Sequence, residues 1–304
     1  MRTTLSSPRS KFLDHLEVAA REIWVFGLKQ ANAALFGGLL LGFMLVTTFV
    51  DLPWLHRYDA IFVYAIAVQI VLLVGRLETP REMLVIFGFH LVATVMEIYK
   101  TSEMIGSWHY PEPAVIALWN VPLFAGFMYS AVGSYIARAW KVLDLRFANY
   151  PPMIHTYALA ILIYVNFFTH HFALDIRYGL VAYAALIFWN TRIRFTALNQ
   201  HSMPLLLGFT LVSLFVWIAE NLATFANVWL YPSQQAGWTI VSPNKLGAWF
   251  LLMIVSFVLV SLLHRRQLNS AMRHPSASPF ATIRRSASLR FNRAGHKQVR
   301  TWEN

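Results

Sequence analysis

Eight stretches of this chain carry few charges and run long enough to approach a bilayer's width, and they limit what it can become. They fall at about 31–50, 60–75, 82–99, 119–140, 153–169, 176–189, 204–223 and 246–264. Crossing a bilayer takes roughly 20 apolar residues in helical form. In hydrocarbon every backbone N–H and C=O must be satisfied internally, which leaves helices or closed barrels. Continuous apolar runs of this length, without strict alternation, read as helices. Composition agrees: 57% of residues are hydrophobic and 13% charged, against about 25% charged in soluble proteins. The expected fold is all-α, a polytopic membrane helical bundle of about eight transmembrane helices. The sixth stretch is short and would need local thinning of the bilayer.

The charges between the stretches are unequal. On one side fall Arg2, Arg9, Lys11, Arg21, Lys29, Arg76, Arg81, Arg138, Lys141, Arg146, Arg192 and Arg194, together with the basic C-terminal tail. The other side receives Arg57, Lys100, Arg177 and Lys245. Without the tail the ratio is 12 to 4. By the positive-inside rule both termini are expected in the cytoplasm. This bias also accounts for the net charge of +11 without invoking nucleic acid. Residues 11–28 read as an amphipathic helix, lying on the inner surface or packed on the chain's own cytoplasmic loops, with Phe12, Leu16, Ala19, Ala20, Ile23 and Trp24 near one face. The predicted organisation is a cytoplasmic segment 1–30, a first transmembrane unit 31–150, a second 151–266 and a basic, disordered tail 267–304. No signal peptide is evident before Ala31. The absence of cysteine excludes disulfides, thiolate metal sites and cysteine nucleophiles.

A pattern occurs twice. Glu97, Thr101, Trp108, Tyr110, Pro111, Pro122 and Gly126 are followed about 120 residues later by Glu220, Thr224, Trp229, Tyr231, Pro232, Pro243 and Gly247. Arg57-Tyr58 and Arg177-Tyr178 also correspond, as do Gly88-Phe89 and Gly208-Phe209. An even number of spans per copy implies two four-helix repeats of like orientation, related by an axis along the membrane normal. Both glutamates would then lie in the outer third of the bilayer, beside loops facing outward. Gly126, Ser130 and Ser134 form a small-residue face that permits close helix contact. Asn120 and Ser242 precede the two prolines and are expected to cap the helices that follow.

Glutamate inside an apolar run is a functional candidate by default. The candidate catalytic residues are Glu97, Glu220 and His90, which lies two turns before Glu97 on nearly the same face. Candidate binding residues are Thr101, Trp108, Tyr110, Asn120, Thr224, Trp229 and Tyr231. His56, His109, His170 and His171 fall on the outward side, where Glu97, Glu112 or Glu220 could join them around a metal. No His-x-x-x-His spacing supports that, so no metal or cofactor is expected. The partners implied are the bilayer and a hydrophobic small molecule, with no nucleic acid and an open oligomeric state.

The run from Glu97-Ile-Tyr-Lys-Thr101 through Gly106-Ser-Trp-His-Tyr-Pro-Glu112 to Val121–Tyr129 and Gly133-Ser-Tyr135 resembles a bacterial family catalogued as domain of unknown function 817, integral membrane proteins without assigned activity. The resemblance covers most of the chain before the tail and implies a location in the bacterial inner membrane. The layout of Glu97, Thr101, Gly106, Trp108, Tyr110, Pro122 and Leu123 is similar, more distantly, to that of membrane-embedded carotenoid cyclases and hydratases. Those enzymes follow Pro-Leu with paired glutamates. Here the corresponding residues are Phe124-Ala125, and Asn244-Lys245 in the second copy.

Three functions remain open on these residues. The leading one is an intramembrane site that binds, and with a protonated glutamate transforms, an isoprenoid-like molecule. The second is a transporter or proton-coupled carrier. The third is an inert assembly protein, which predicts a closed interface between the repeats.

Overall fold

The computed structural model describes residues 8–50 and 52–273, with side chains from 16 to 269 apart from residue 51. The expectation of a disordered tail concerns residues that lie largely outside this range.

Helices occupy most of the described chain: α1 (Pro8–Ala33), α2 (Leu35–Val46), α3 (Arg57–Val74), α4 (Pro80–Lys100), α5 (Ala125–Val142), α6 (Met153–Thr169), α7 (Arg177–Phe188), α8 (Leu205–Phe225), α9 (Lys245–Ser261) and α10 (Arg265–Arg273). Each of the eight apolar stretches overlaps one of α2 to α9. Four helical segments are long and apolar enough to cross a membrane: α3, α4, α8 and the continuous run Lys245–Asn269. A fifth arises if α1 and α2, bent by 73°, count as one broken span. The helices α6 and α7 are apolar but shorter. Length and composition thus support a membrane protein with four to five candidate spans, fewer than the eight expected.

The bend before α2 has an identifiable partner. Arg138 on α5 donates from Nε and Nη2 to the Asn32 carbonyl at 3.0 and 2.8 Å, and from Nη2 to Asn32 Oδ1 at 2.9 Å. A cation placed on the last carbonyls of α1 satisfies acceptors that the break leaves open. The exposed Leu16, Ile23 and Trp24 of α1 agree with a helix lying along a surface. Its inner end is clipped to the rest of the chain through Glu22, whose carboxylate accepts from Leu198 N, Asn199 N and His201 Nε2.

Purely helical architecture needs correction. Strands β1 (Ala117–Leu118) and β2 (Val121–Pro122) form a small antiparallel pair. Strands β3 (Arg146–Ala148), β4 (Arg192–Thr196) and β5 (Gln200–Pro204) form a three-stranded antiparallel sheet. Arg192-Ile-Arg-Phe-Thr196 alternates polar and apolar residues, with Ile193 buried and Arg192 exposed, which is strand periodicity. Reading these arginines as topology signals hid that pattern.

The helix α4 begins with a capping box. Thr79 Oγ1 accepts from Glu82 N, Glu82 Oε2 accepts from Thr79 N at 2.7 Å, and Pro80 takes the first helical position. Its close partner is α5. Ser130 donates to the Ile86 carbonyl at 3.1 Å, and Ser134 donates to the Glu78 carboxylate. A Cβ built on Gly126 would stand 2.8 Å from the His90 carbonyl oxygen, and one on Gly133 would stand 2.9 Å from the Phe89 ring. The small-residue face therefore does what its spacing predicts. The cap prediction holds only in part: Ser242 Oγ accepts from Asn244 N at 3.3 Å in the turn before α9, whereas Asn120 is turned to Thr101, and the residues just before α5 and α9, Phe124 and Asn244, make no side-chain cap bond.

Candidate functional site

The last turns of α4 bring Glu97 and Lys100 to the edge of a loop that Gly106, at φ +55°, turns back across them. Glu97 then meets three donors. Trp108 Nε1 and Tyr110 Oη donate to its Oε2 at 2.9 and 2.7 Å, and Tyr129 Oη of α5 donates to its Oε1 at 2.6 Å. The carboxylate is 1% exposed. Burial beside that carboxylate pushes the Tyr110 phenol well above its usual pKa, so it stays a donor.

Glu220 near the end of α8 has a parallel arrangement. Tyr231 Oη donates to Oε1, and Trp249 Nε1 of α9 donates to Oε2 at 2.7 Å. The two clusters touch. Trp108 meets Tyr231 edge-on with ring centroids 6.2 Å apart, and Tyr129 lies 6.4 Å from Trp249. Glu97, Trp108, Tyr231, Glu220, Trp249 and Tyr129 close a ring of four hydrogen bonds and two aromatic contacts. The loops behind it pair as well. His109 N donates to Leu230 O at 3.0 Å and Leu230 N to His109 O at 2.9 Å, a reciprocal bridge between the central residues of the two Trp-x-Tyr segments.

A mostly apolar cavity of about 1050 Å³ opens from this ring. Along α8 it is lined from Leu205 to Ala223, a rise of about 27 Å at 1.5 Å per residue. The facing wall is α2, from Gly37 to Met44, and the floor is α5 and α9. The end beside the ring carries Lys100, His170, His171, Arg177 and Lys245.

Of the residues singled out in the sequence, Glu97, Glu220, Trp108, Tyr110, Trp229 and Tyr231 all line this cavity. Thr101, Asn120 and Thr224 do not. Thr101 Oγ1 donates to the Glu97 carbonyl and, with its own carbonyl, accepts from Asn120 Nδ2 at 2.6–2.7 Å. Thr224 accepts from Trp238 Nε1 at 3.2 Å. These three side chains pin loops. His90 lies between Phe87 and Phe127 against Gly126, packed at the α4–α5 contact and away from the cavity lining.

Among the described residues no group of three or more His, Asp or Glu is placed to hold a metal. His170 and His171 lie with ring centroids 4.0 Å apart, tilted by 35°, and face Lys100, whose Nζ lies 2.9 Å from His171 Nε2. A neighbouring ammonium is a poor companion for a metal ion. Desolvation and that ammonium hold the His171 imidazole down to about 4.

Tyr129, Trp249 and the cations at the cavity's end were not anticipated as site residues. Trp249 aligns with Met128 when Pro122 and Pro243 are matched, so the repeat itself concealed it. Glu220 takes its indole donor from Trp249, whereas Glu97 takes one from Trp108.

Residues 22–257 match a family model described as protein of unknown function (DUF817). The chain is similar to the uncharacterized protein YoaT of Bacillus subtilis (strain 168), with 39% identity over 246 residues, covering 81% of this chain and 92% of that protein. No solved structure matches.

Proposed function

We propose a function for this chain, which belongs to the DUF817 family, from its seam: it is a membrane-embedded binding protein for an elongated lipophilic molecule. The observation that carries this reading is the mostly apolar cavity of about 1050 Å³ beside the Glu97–Glu220 ring. Binding pockets of this kind usually measure about 300–1,000 Å³, with a few convergent polar groups. Its length favours a hydrocarbon chain, isoprenoid-like or acyl.

The architecture that goes with it is two four-helix units of like orientation, residues 31–150 and 151–266, spanning the cytoplasmic membrane with both termini inside. The reciprocal His109–Leu230 bridge supports this, since an antiparallel pairing of the two Trp-x-Tyr segments has the local two-fold character that two like-oriented repeats would share. The 12 to 4 distribution of Lys and Arg supports the orientation.

Within this reading Glu97 and Glu220 fasten the seam. Each directs its carboxylate to Trp and Tyr donors of the protein itself. Acid chemistry on a double bond needs a proton free to leave toward substrate, and these partners occupy that side. Binding is therefore favoured over transformation, and a cavity of this size weighs against an inert assembly role. The carrier reading keeps one observation: lining residues run from Phe26 and Phe195 at one end to Lys100 and His171 at the other.

The test is organic extraction and mass spectrometry of purified protein, compared with Ala219→Trp, which puts an indole into the cavity one residue from Glu220. A lipophilic molecule near one per chain in the native protein, lost in the variant, is the expected result. Equal recovery from both overturns the reading. Proton flux in vesicles that disappears with Glu97→Gln would replace binding with carriage.

A further inference from the structure

Lys100, Lys245 and Arg177 take no part in the hydrogen bonds that hold the Glu97–Glu220 ring. Lys100 is 5% exposed. Its closest polar neighbours are His171 Nε2 at 2.9 Å and His170 Nε2 at 3.4 Å. Lys245 stands 4.4 Å above the Tyr231 ring and 6.0 Å from that of Trp108. Among the described residues no carboxylate forms an ion pair with either lysine. Arg177, which lines the same end, is paired with Asp175 at 3.0 Å. A buried ammonium without a close counter-charge is costly, and that cost falls chiefly on Lys100, since Lys245 is half-buried and feels the Glu220 carboxylate; like charges gathered in a partly dry mouth add to it.

The motif offset sharpens the point. Matching Glu97 to Glu220 sets Lys100 against Ala223, and matching Pro122 to Pro243 sets Lys245 against Phe124. On that opposite side Phe124 and Ala223 are 0% and 2% exposed, and Phe124 lies 5.0 Å from Tyr58. Arg57, the counterpart of Arg177, is tied to Glu112 at 2.6 Å and to the Ala226 carbonyl at 2.9 Å. One side is plugged by Phe124, and the arginine on each side has a carboxylate partner. The related side substitutes lysines for the plug and opens into the cavity. The lysines are what set this side apart, and their neighbours are histidines and aromatic rings.

We infer that Lys100 and Lys245, with Arg177 beside them, form a headgroup site for an oxyanion, a phosphate or carboxylate, carried on the lipophilic chain that fills the cavity. This rests on the binding function proposed above and names the class of amphiphile it takes. Ammonium and guanidinium groups from three helices present donors to one oxyanion, while the hydrocarbon lies along α8. The histidines complete the rim: an oxyanion among the cations would relieve the repulsion that now disfavours the protonated His171.

The experiment is a tryptophan-fluorescence titration of the full chain in a neutral maltoside detergent, with dodecyl phosphate, dodecanol and inorganic phosphate. Dodecyl phosphate is expected to bind at least tenfold more tightly than dodecanol. Lys100→Met and Lys245→Met should each cut that ratio at least threefold while leaving dodecanol unchanged, and Lys100→Arg should restore it. Equal binding of the two amphiphiles would overturn the headgroup site and leave the cavity reading standing. Inorganic phosphate binding as tightly as dodecyl phosphate would overturn the amphiphile in favour of a free anion. Failure of all three probes would overturn the binding function itself. The comparison of probes needs no variant, so it holds even where a lysine variant fails to fold.

Discussion

Replacing Glu97 separates its charge from its hydrogen bonding. The carboxylate accepts three bonds, from Trp108, Tyr110 and Tyr129. In Glu97→Gln one oxygen survives and keeps two lone pairs for Trp108 and Tyr110. The new amide N–H₂ faces Tyr129, whose hydroxyl can rotate to accept. All three partners stay satisfied, and the expected loss is about 1 kcal/mol, from exchanging charge-assisted bonds for neutral ones. In Glu97→Leu all three donors lose their acceptor. Side-chain hydrogen bonds between membrane helices are worth about 0.6 kcal/mol on average and up to about 1.7, so three give roughly 2–5 kcal/mol. Glu220→Leu strands two donors, Tyr231 and Trp249, for roughly 1–3 kcal/mol on the same scale. Thermal unfolding in maltoside micelles, with SDS titration as a second measure, should rank native above Glu97→Gln above Glu220→Leu above Glu97→Leu. A Glu97→Leu protein as stable as Glu97→Gln would refute the view that this carboxylate fastens the seam.

Gly126→Ala should destabilise by about 1–3 kcal/mol through overpacking, because its Cβ would meet the His90 backbone oxygen at 2.8 Å; unchanged melting would show that α4 and α5 separate freely. Arg57→Ala should cost about 2–4 kcal/mol by freeing Glu112 and the Met44 and Ala226 carbonyls, read as a lower midpoint in SDS titration. His171, held at about 4 in the folded chain, starts from about 6.5 unfolded. The unfolded state therefore binds the proton more readily between those values. Stability from this group is fully present above about pH 6.5 and falls as pH drops toward 4, against a background set by Lys100, His170 and Lys245. Melting curves from pH 7.5 to 4.5 should be flatter in His171→Gln than in the native protein, and an identical slope would contradict the assignment.

Much of the helical framework was legible because its cause is local. Apolar runs fix where α2 to α9 fall, and the Gly126, Ser130 and Ser134 spacing announces the face that meets α4. The repeated Glu, Trp and Tyr identify six residues that line the cavity. Thr101, Asn120, Thr224 and His90 share that neighbourhood in sequence, yet they tie loops or pack helices. Repetition marks residues that build a common framework as well as those that face a ligand. The sheet β3–β4–β5 was missed because its charges satisfied a topology rule and so needed no other explanation.

The sequence by itself determined a predominantly helical chain with several helices apolar enough for a bilayer, and two glutamates too costly to be incidental. Tertiary structure decided where those glutamates point, which donors hold them, and that Lys100 from one segment and Lys245 from another share one mouth. The physical reason is range. Helix formation and membrane preference are sums over neighbouring residues, whereas a cavity and its charges depend on side chains brought together from elements more than a hundred residues apart.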